Sequence, residues 1–222
     1  MSIADIYQQL RSEIPAHVTI VPAAKTRSVQ EMLEVIEAGA TDIGHNYVQE
    51  AEQARTALGD AAQKVRWHLI GHLQTNKINK ALQVFDVFQT VDSLEKARAI
   101  DMRAARLERV VPVYIEINSA AEASKSGILP DFDTLAGLAR DMCTLGHVRL
   151  EGLMTMGPLG ADEDSLRAAF RKTRHLFDRL RGLELTGVCL KTLSMGMTDS
   201  YRIAIEEGAT MVRPGTIVFG HR

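Results

Sequence analysis

Lys25 is the only lysine among the first 63 residues, and it stands where the apolar, β-branched run Val18-Thr19-Ile20-Val21-Pro22-Ala23-Ala24 gives way to Thr26-Arg27-Ser28. An amine at the end of a buried strand can be partly desolvated, which frees its lone pair for a Schiff base with an aldehyde; the alternative, favoured by position alone, is an ordinary solvated strand-end lysine. Two later segments suit an anion. Leu193-Ser194-Met195-Gly196-Met197 and Arg213-Pro214-Gly215-Thr216 each pair a hydroxyl donor, Ser194 or Thr216, with a glycine, Gly196 or Gly215, that lets backbone N–H groups approach. A short helix starting near Thr198 or Asp199 would turn its positive end to the same point. Arg213 cannot act as a base, but its guanidinium can hold a heteroaromatic nitrogen or an oxyanion in fixed geometry.

Further polar groups belong to the same set. Asn46, in Gly44-His45-Asn46-Tyr47, can donate to a ring oxygen, and His72 can line the pocket. His68 and His72 are four residues apart, a spacing that would hold a metal on one helix face. No glutamate follows His68, however, and the pair straddles a strand and a turn, so no metal is expected. His68 reads as a satisfied core histidine beside Trp67. Lys125, in Ala123-Ser124-Lys125-Ser126-Gly127, is a second amine.

These residues act together only if the fold gathers them. Short apolar runs at 18–24, 41–44, 65–70, 87–91, 110–117, 148–154, 192–194 and 211–213 predict eight strands. Amphipathic segments at 28–38, 48–58, 76–82, 93–107, 131–142, 164–180 and 200–207 predict the helices between them, after a first helix capped by Ser2 and running to about Arg11. Gly39 and Gly208 each follow a helix and lead into a strand, as left-handed C-caps do. Eight such repeats without a linker point to one α/β domain over residues 1–222, a (β/α)8 TIM barrel with an N-terminal helix. An open doubly wound sheet would show fewer strands, and no GxGxxG or GxxxxGK motif opens a helix. In a barrel the active face is formed by the C-terminal strand ends, with phosphate often held after strands seven and eight. Closure then makes Lys25 and Arg213 neighbours despite 188 residues of separation.

Composition narrows the partners. A formal charge of −2 offers no basic stripe for nucleic acid. Cys143 and Cys189, 46 residues apart with no CxxC, read as reduced packing thiols. No apolar run reaches the roughly 18 residues of a membrane span, and residues 1–14 do not resemble a signal peptide. A cytoplasmic monomer with a small-molecule ligand is expected.

The motifs Ala24-Lys25-Thr26, Gly44-His45-Asn46-Tyr47-Val48-Gln49-Glu50, Trp67-His68-Leu69-Ile70-Gly71-His72-Leu73-Gln74-Thr75-Asn76-Lys77, Lys125-Ser126-Gly127, Leu193-Ser194-Met195-Gly196-Met197 and Val212-Arg213-Pro214-Gly215-Thr216 occur in order over nearly the whole chain. In this the chain resembles the pyridoxal phosphate homeostasis family of the YggS/PROSC type, whose barrel is similar to the N-terminal domain of alanine racemase. The resemblance implies that Lys25 carries pyridoxal 5'-phosphate (PLP) as an internal aldimine, that Ser194, Gly215 and Thr216 hold the phosphate, and that Arg213 faces the pyridine nitrogen. Asn46, His72 and Met195 complete the expected cofactor-binding set. The family pattern usually has glutamate at the position of His45, commonly serine at Ala24, and an aliphatic residue at Pro214. Arginine opposite the ring nitrogen weakens the cofactor as an electron sink. Strand eight is expected to finish about six residues before Arg222, leaving no chain for the domain that gives alanine racemase its second catalytic face. The expected role is therefore PLP buffering and transient delivery to PLP-dependent apo-enzymes, with little or no turnover, and Lys125 assisting. The alternatives are a racemase or decarboxylase using the same lysine, and a structural barrel for another phosphate ligand, which would leave Lys25 idle.

Overall fold

Helix starts are written in local chemistry. Ser2 and Ser28 each close a capping box: Ser2 with Asp5 opens α1 (Ile3–Glu13), and Ser28 with Glu31 opens α2 (Val29–Glu37). Asp131 and Asp162 cap α6 (Phe132–Met142) and α7 (Glu163–Arg181) in the simpler way, each accepting a backbone N–H three residues on. The remaining helices are α3 (Val48–Leu58), α4 (Ile78–Val84), α5 (Leu94–Ala105), α8 (Tyr201–Glu206) and α9 (Thr216–Phe219). The computed structural model describes residues 1–122 and 126–220.

Eight parallel strands alternate with these helices: β1 (Thr19–Ile20), β2 (Asp42–His45), β3 (Arg66–Leu69), β4 (Val87–Val91), β5 (Val111–Glu116), β6 (Val148–Met154), β7 (Thr192–Ser194) and β8 (Met211–Val212). They pair in the order β1-β8-β7-β6-β5-β4-β3-β2. The ring is joined between β2 and the segment after β1, where Ala24 N donates to Gly44 O (2.8 Å) and Gly44 N to Pro22 O (2.9 Å). Pro22 has no N–H, so this stretch alternates its partners: Val21 and Ala23 donate to Val212 and Pro214, and Ala24 donates across to β2. That alternation makes β1 shorter than the expected 18–24. The expected (β/α)8 barrel is the observed fold.

Two apolar clusters fill it. The larger lies between strands and helices, around Trp67, Phe85, Phe88 and Phe170. The second consists of Val21, Val87, Tyr114, Met154 and Met211. Gly39 and Gly208 take φ of +99° and +92°, the left-handed conformation expected of a residue ending α2 and α8. Helix α9 was not foreseen, because four residues are too few to show a helical period. Among the described residues no helix is long and apolar enough to cross a membrane.

Candidate functional site

Lys25 follows the β1–β2 join directly. Thr26 has a φ of +60°, which is strained for a β-branched residue, and Glu50 of α3 accepts its N–H (3.2 Å). The chain therefore turns sharply at the lysine, whose side chain is exposed, as the solvated alternative has it. It lines a cleft of about 220 Å³ with Ala23, Arg27, Met197, Thr198, Asp199, Arg213, Gly215 and Thr216.

One wall of this cleft is a donor cluster. The N–H groups of Gly215 and Ile217 and the hydroxyl of Thr216 converge on Thr198 Oγ1, at 3.1, 3.3 and 3.2 Å. Three donors meeting on one oxygen, where α9 begins, form a cradle that a phosphate oxygen fits in place of the hydroxyl. Gly215 and Thr216 both line the Lys25 cleft.

Ser194 does not. Its hydroxyl is fully buried inside the barrel, donates to Gln89 Oε1 (2.7 Å) and accepts from Arg213 Nη1. As the last residue of β7 it points inward, and Thr198, four residues later, reaches the cleft in its place. Met195 is also fully buried and belongs to the outer apolar core, with its N–H bonded to Met211 O (3.0 Å).

Arg213 is 3% exposed. Its Nη2 donates to Thr155 O (2.8 Å), so both ends of the fork are anchored. Burial pulls it down to about 10, against the pull of Glu116, and it stays charged at neutral pH. Asn46 and His72 do not line the Lys25 cleft; they line a separate one of about 200 Å³ with Glu116, Thr155 and Ser126, linked to it through the bond from Arg213 to Thr155 O. Asn46 is held in place by Gly71, because a Cβ there would stand 2.3 Å from Asn46 O. Gly71→Ala is accordingly expected to displace the Asn46 backbone and cost about 1–3 kcal/mol, measured by denaturant unfolding.

Glu116, Thr155 and Thr198 escaped sequence reasoning, and only the hydroxyl of Thr198 gave a local signal. Burial, reinforced by Asp92, pushes the Glu116 carboxyl up to about 7, against Arg213 and Lys96. His45 sits off the mouth: its ring stacks on Trp67 at 5.6 Å and Nε2 meets Met32 Sδ (3.4 Å). Burial holds its pKa down at about 4. Ala24 is fully buried, and Pro214 lends its carbonyl to Ala23. Lys125 lies outside the described residues. Among the described residues no cluster suits a metal.

With this geometry in hand, comparison is decisive. A family model described as alanine racemase, N-terminal domain, matches residues 2–222. The chain belongs to that family. Among its relatives is the pyridoxal phosphate homeostasis protein of Pasteurella multocida (strain Pm70), 36% identical over 205 residues, covering 92% of this chain and 87% of the relative. PipY of Synechococcus elongatus PCC7942, in a structure with PLP bound, superposes with a TM-score of 0.87 at 32% identity, over 98% of this chain and 100% of that one. The alanine racemase of Clostridium difficile 630 shares the fold at a TM-score of 0.82 and 15% identity, this chain spanning 57% of it.

Proposed function

We propose that this protein binds PLP through Lys25 and serves intracellular PLP homeostasis, holding and handing on the cofactor with little or no turnover. The observation that carries this reading is the placement of Lys25 in one cleft with the donors that converge on Thr198 Oγ1 and with the anchored Arg213. PLP supplies an aldehyde. Lys25 Nζ supplies the amine that condenses with it, releasing water. Gly215, Thr216 and Ile217 would hold the phosphate, its oxygen replacing Thr198 Oγ1 as their acceptor, while Ser194 works behind Arg213. Arg213 presents a donor to the ring nitrogen, Asn46 donates to the ring oxygen, and His72 lines the outer wall.

A permanent donor opposite the ring nitrogen disfavours protonating it, which favours retention over amino-acid chemistry. Of the tyrosines, Tyr201 has its Oη bonded to Arg202 and Glu13, and Tyr47 lines a cleft with Asn46, His72, Gln74 and Lys77, not the Lys25 cleft itself. The curated homeostasis relatives and the PLP-bound PipY structure support the same reading. Residues 1–222 acting as one PLP-binding unit, a monomer in the cytoplasm, and transient contact with PLP-dependent apo-enzymes belong to the proposal.

Titrating apo-protein with PLP tests it. Visible absorption should appear, and borohydride should fix one cofactor on the peptide containing Lys25. Protein that stays colourless, or a label on another lysine, sinks the assignment. Deuterium exchange at Cα of added amino acids faster than with free PLP sinks the carrier role alone.

A further inference from the structure

A small barrel is usually filled by layers of Val, Ile and Leu. Here the second apolar cluster is only five residues, and beside it runs a chain of polar side chains. Arg213 Nη1 donates to Ser194 Oγ, Ser194 Oγ donates to Gln89 Oε1 (2.7 Å), Gln89 Nε2 meets His68 Nδ1 (2.9 Å), and His68 Nε2 meets Asp42 Oδ1 (2.7 Å). All five residues are buried. The chain links β2, β3, β4 and β7 to the residue after β8.

Its direction follows from chemistry. A carboxylate only accepts, so His68 Nε2 carries a hydrogen toward Asp42. Burial favours the neutral ring, against the pull of Asp42, which leaves Nδ1 as an acceptor. Gln89 must then give its NH2 to His68 and its carbonyl to Ser194. Ser194 spends its only hydrogen on that carbonyl and has lone pairs left for Arg213. Reversing any one member would set donor against donor or acceptor against acceptor. Burial raises the Asp42 carboxyl, but His68 and the Thr41 hydroxyl (2.7 Å) outweigh it, so the far end stays anionic.

We infer that His68 is a positioning residue for Arg213, acting through Gln89 and Ser194, and that this relay governs how tightly PLP is held and where it absorbs. The inference rests on the PLP reading above. A guanidinium on a long side chain would otherwise sample several orientations. With Nη1 tied to the relay and Nη2 to Thr155 O, its remaining donors are fixed relative to the cleft.

The test uses Gln89, a residue that does not line the Lys25 cleft. Gln89→Met keeps the length and removes the hydrogen bonds to His68 and Ser194, along with the weaker one from Nε2 to Met211 Sδ (3.3 Å). Gln89→Glu keeps the acceptor for Ser194 and removes the donor to His68. Gln89→Met is expected to weaken PLP binding about tenfold, comparable to losing an outer partner of a metal ligand, and to shift the visible band. Gln89→Glu should recover part of both effects. In an Arg213→Lys background, where the fork is absent, Gln89→Met should change neither.

Side-chain nitrogen NMR of apo wild-type protein reads the relay without cofactor, and should show neutral His68 protonated on Nε2. The Nδ1 tautomer would overturn the relay while leaving the PLP reading intact. So would a Gln89→Met protein that melts lower yet keeps wild-type affinity and absorption, or that loses affinity equally in both backgrounds. Wild-type protein that binds no PLP would overturn the PLP reading, and with it the relay's role toward the cofactor.

Discussion

Lys25→Ala is expected to abolish the visible absorption of PLP-loaded protein and the borohydride-stable label, while leaving the apo-protein folded. Both halves follow from position. The lysine is exposed, and substitution of an exposed side chain outside any network shifts stability by about 0.5 kcal/mol or less. The phosphate donors stand on Gly215, Thr216 and Ile217 and do not depend on it. Lys25→Ala protein should therefore still bind PLP reversibly and weakly. Calorimetry separates the components: at a free ligand concentration near 100 times its Kd, wild-type protein gains about 2.7 kcal/mol, and at that same concentration the variant should gain less than half. A Lys25→Ala protein that remains yellow after dialysis would place the covalent link elsewhere.

Glu116→Gln is expected to stabilise the apo-protein in alkaline solution. The carboxyl sits at about 7 in the folded protein against an ordinary 4.5, so the folded state holds its proton more tightly than the unfolded one. Its contribution is fully present below pH 4.5 and is lost as pH rises through 7. The amide has no such loss, and above pH 8 the variant should exceed wild type by roughly 3 kcal/mol, at 1.36 kcal/mol per pKa unit. His45 acts in the opposite direction. Its pKa of about 4 against 6.5 gives stability that is present above 6.5 and lost as pH falls toward 4. Wild-type apo-protein should thus change little in stability between about pH 5 and 6.5, where the two losses offset, and Glu116→Gln should reveal the His45 slope. Thermal melts of both proteins at pH 5 and pH 8 decide it; equal differences at the two values would refute the Glu116 assignment.

The sequence carried the barrel well because strand and helix periods are local. Strands 87–91, 148–154 and 192–194 and helix 48–58 were predicted to the residue. Counting strands was enough to bring Arg213 to the mouth beside Lys25. What escaped was pairing at long range. Gln89 and Asp42 are single polar residues in or at the edge of apolar runs, and nothing near them announces Ser194, which is 105 residues from Gln89. For the same reason Ser194 read as a residue of the mouth: it is the hydroxyl at the strand end, and only its inward direction shows that Thr198 is the one lining the cleft. Glu116 was passed over because a strand-end glutamate reads as solvated until burial is known.

The join between β2 and the segment after β1 is a narrow one, resting on the bridge between Ala23 and Gly44 and the two hydrogen bonds described above. A closed hoop shares load around its circumference, and it yields first at its thinnest joint. Local opening of this barrel is therefore expected to include a joint one residue from Lys25, read as early hydrogen exchange of the Ala24 and Gly44 amides.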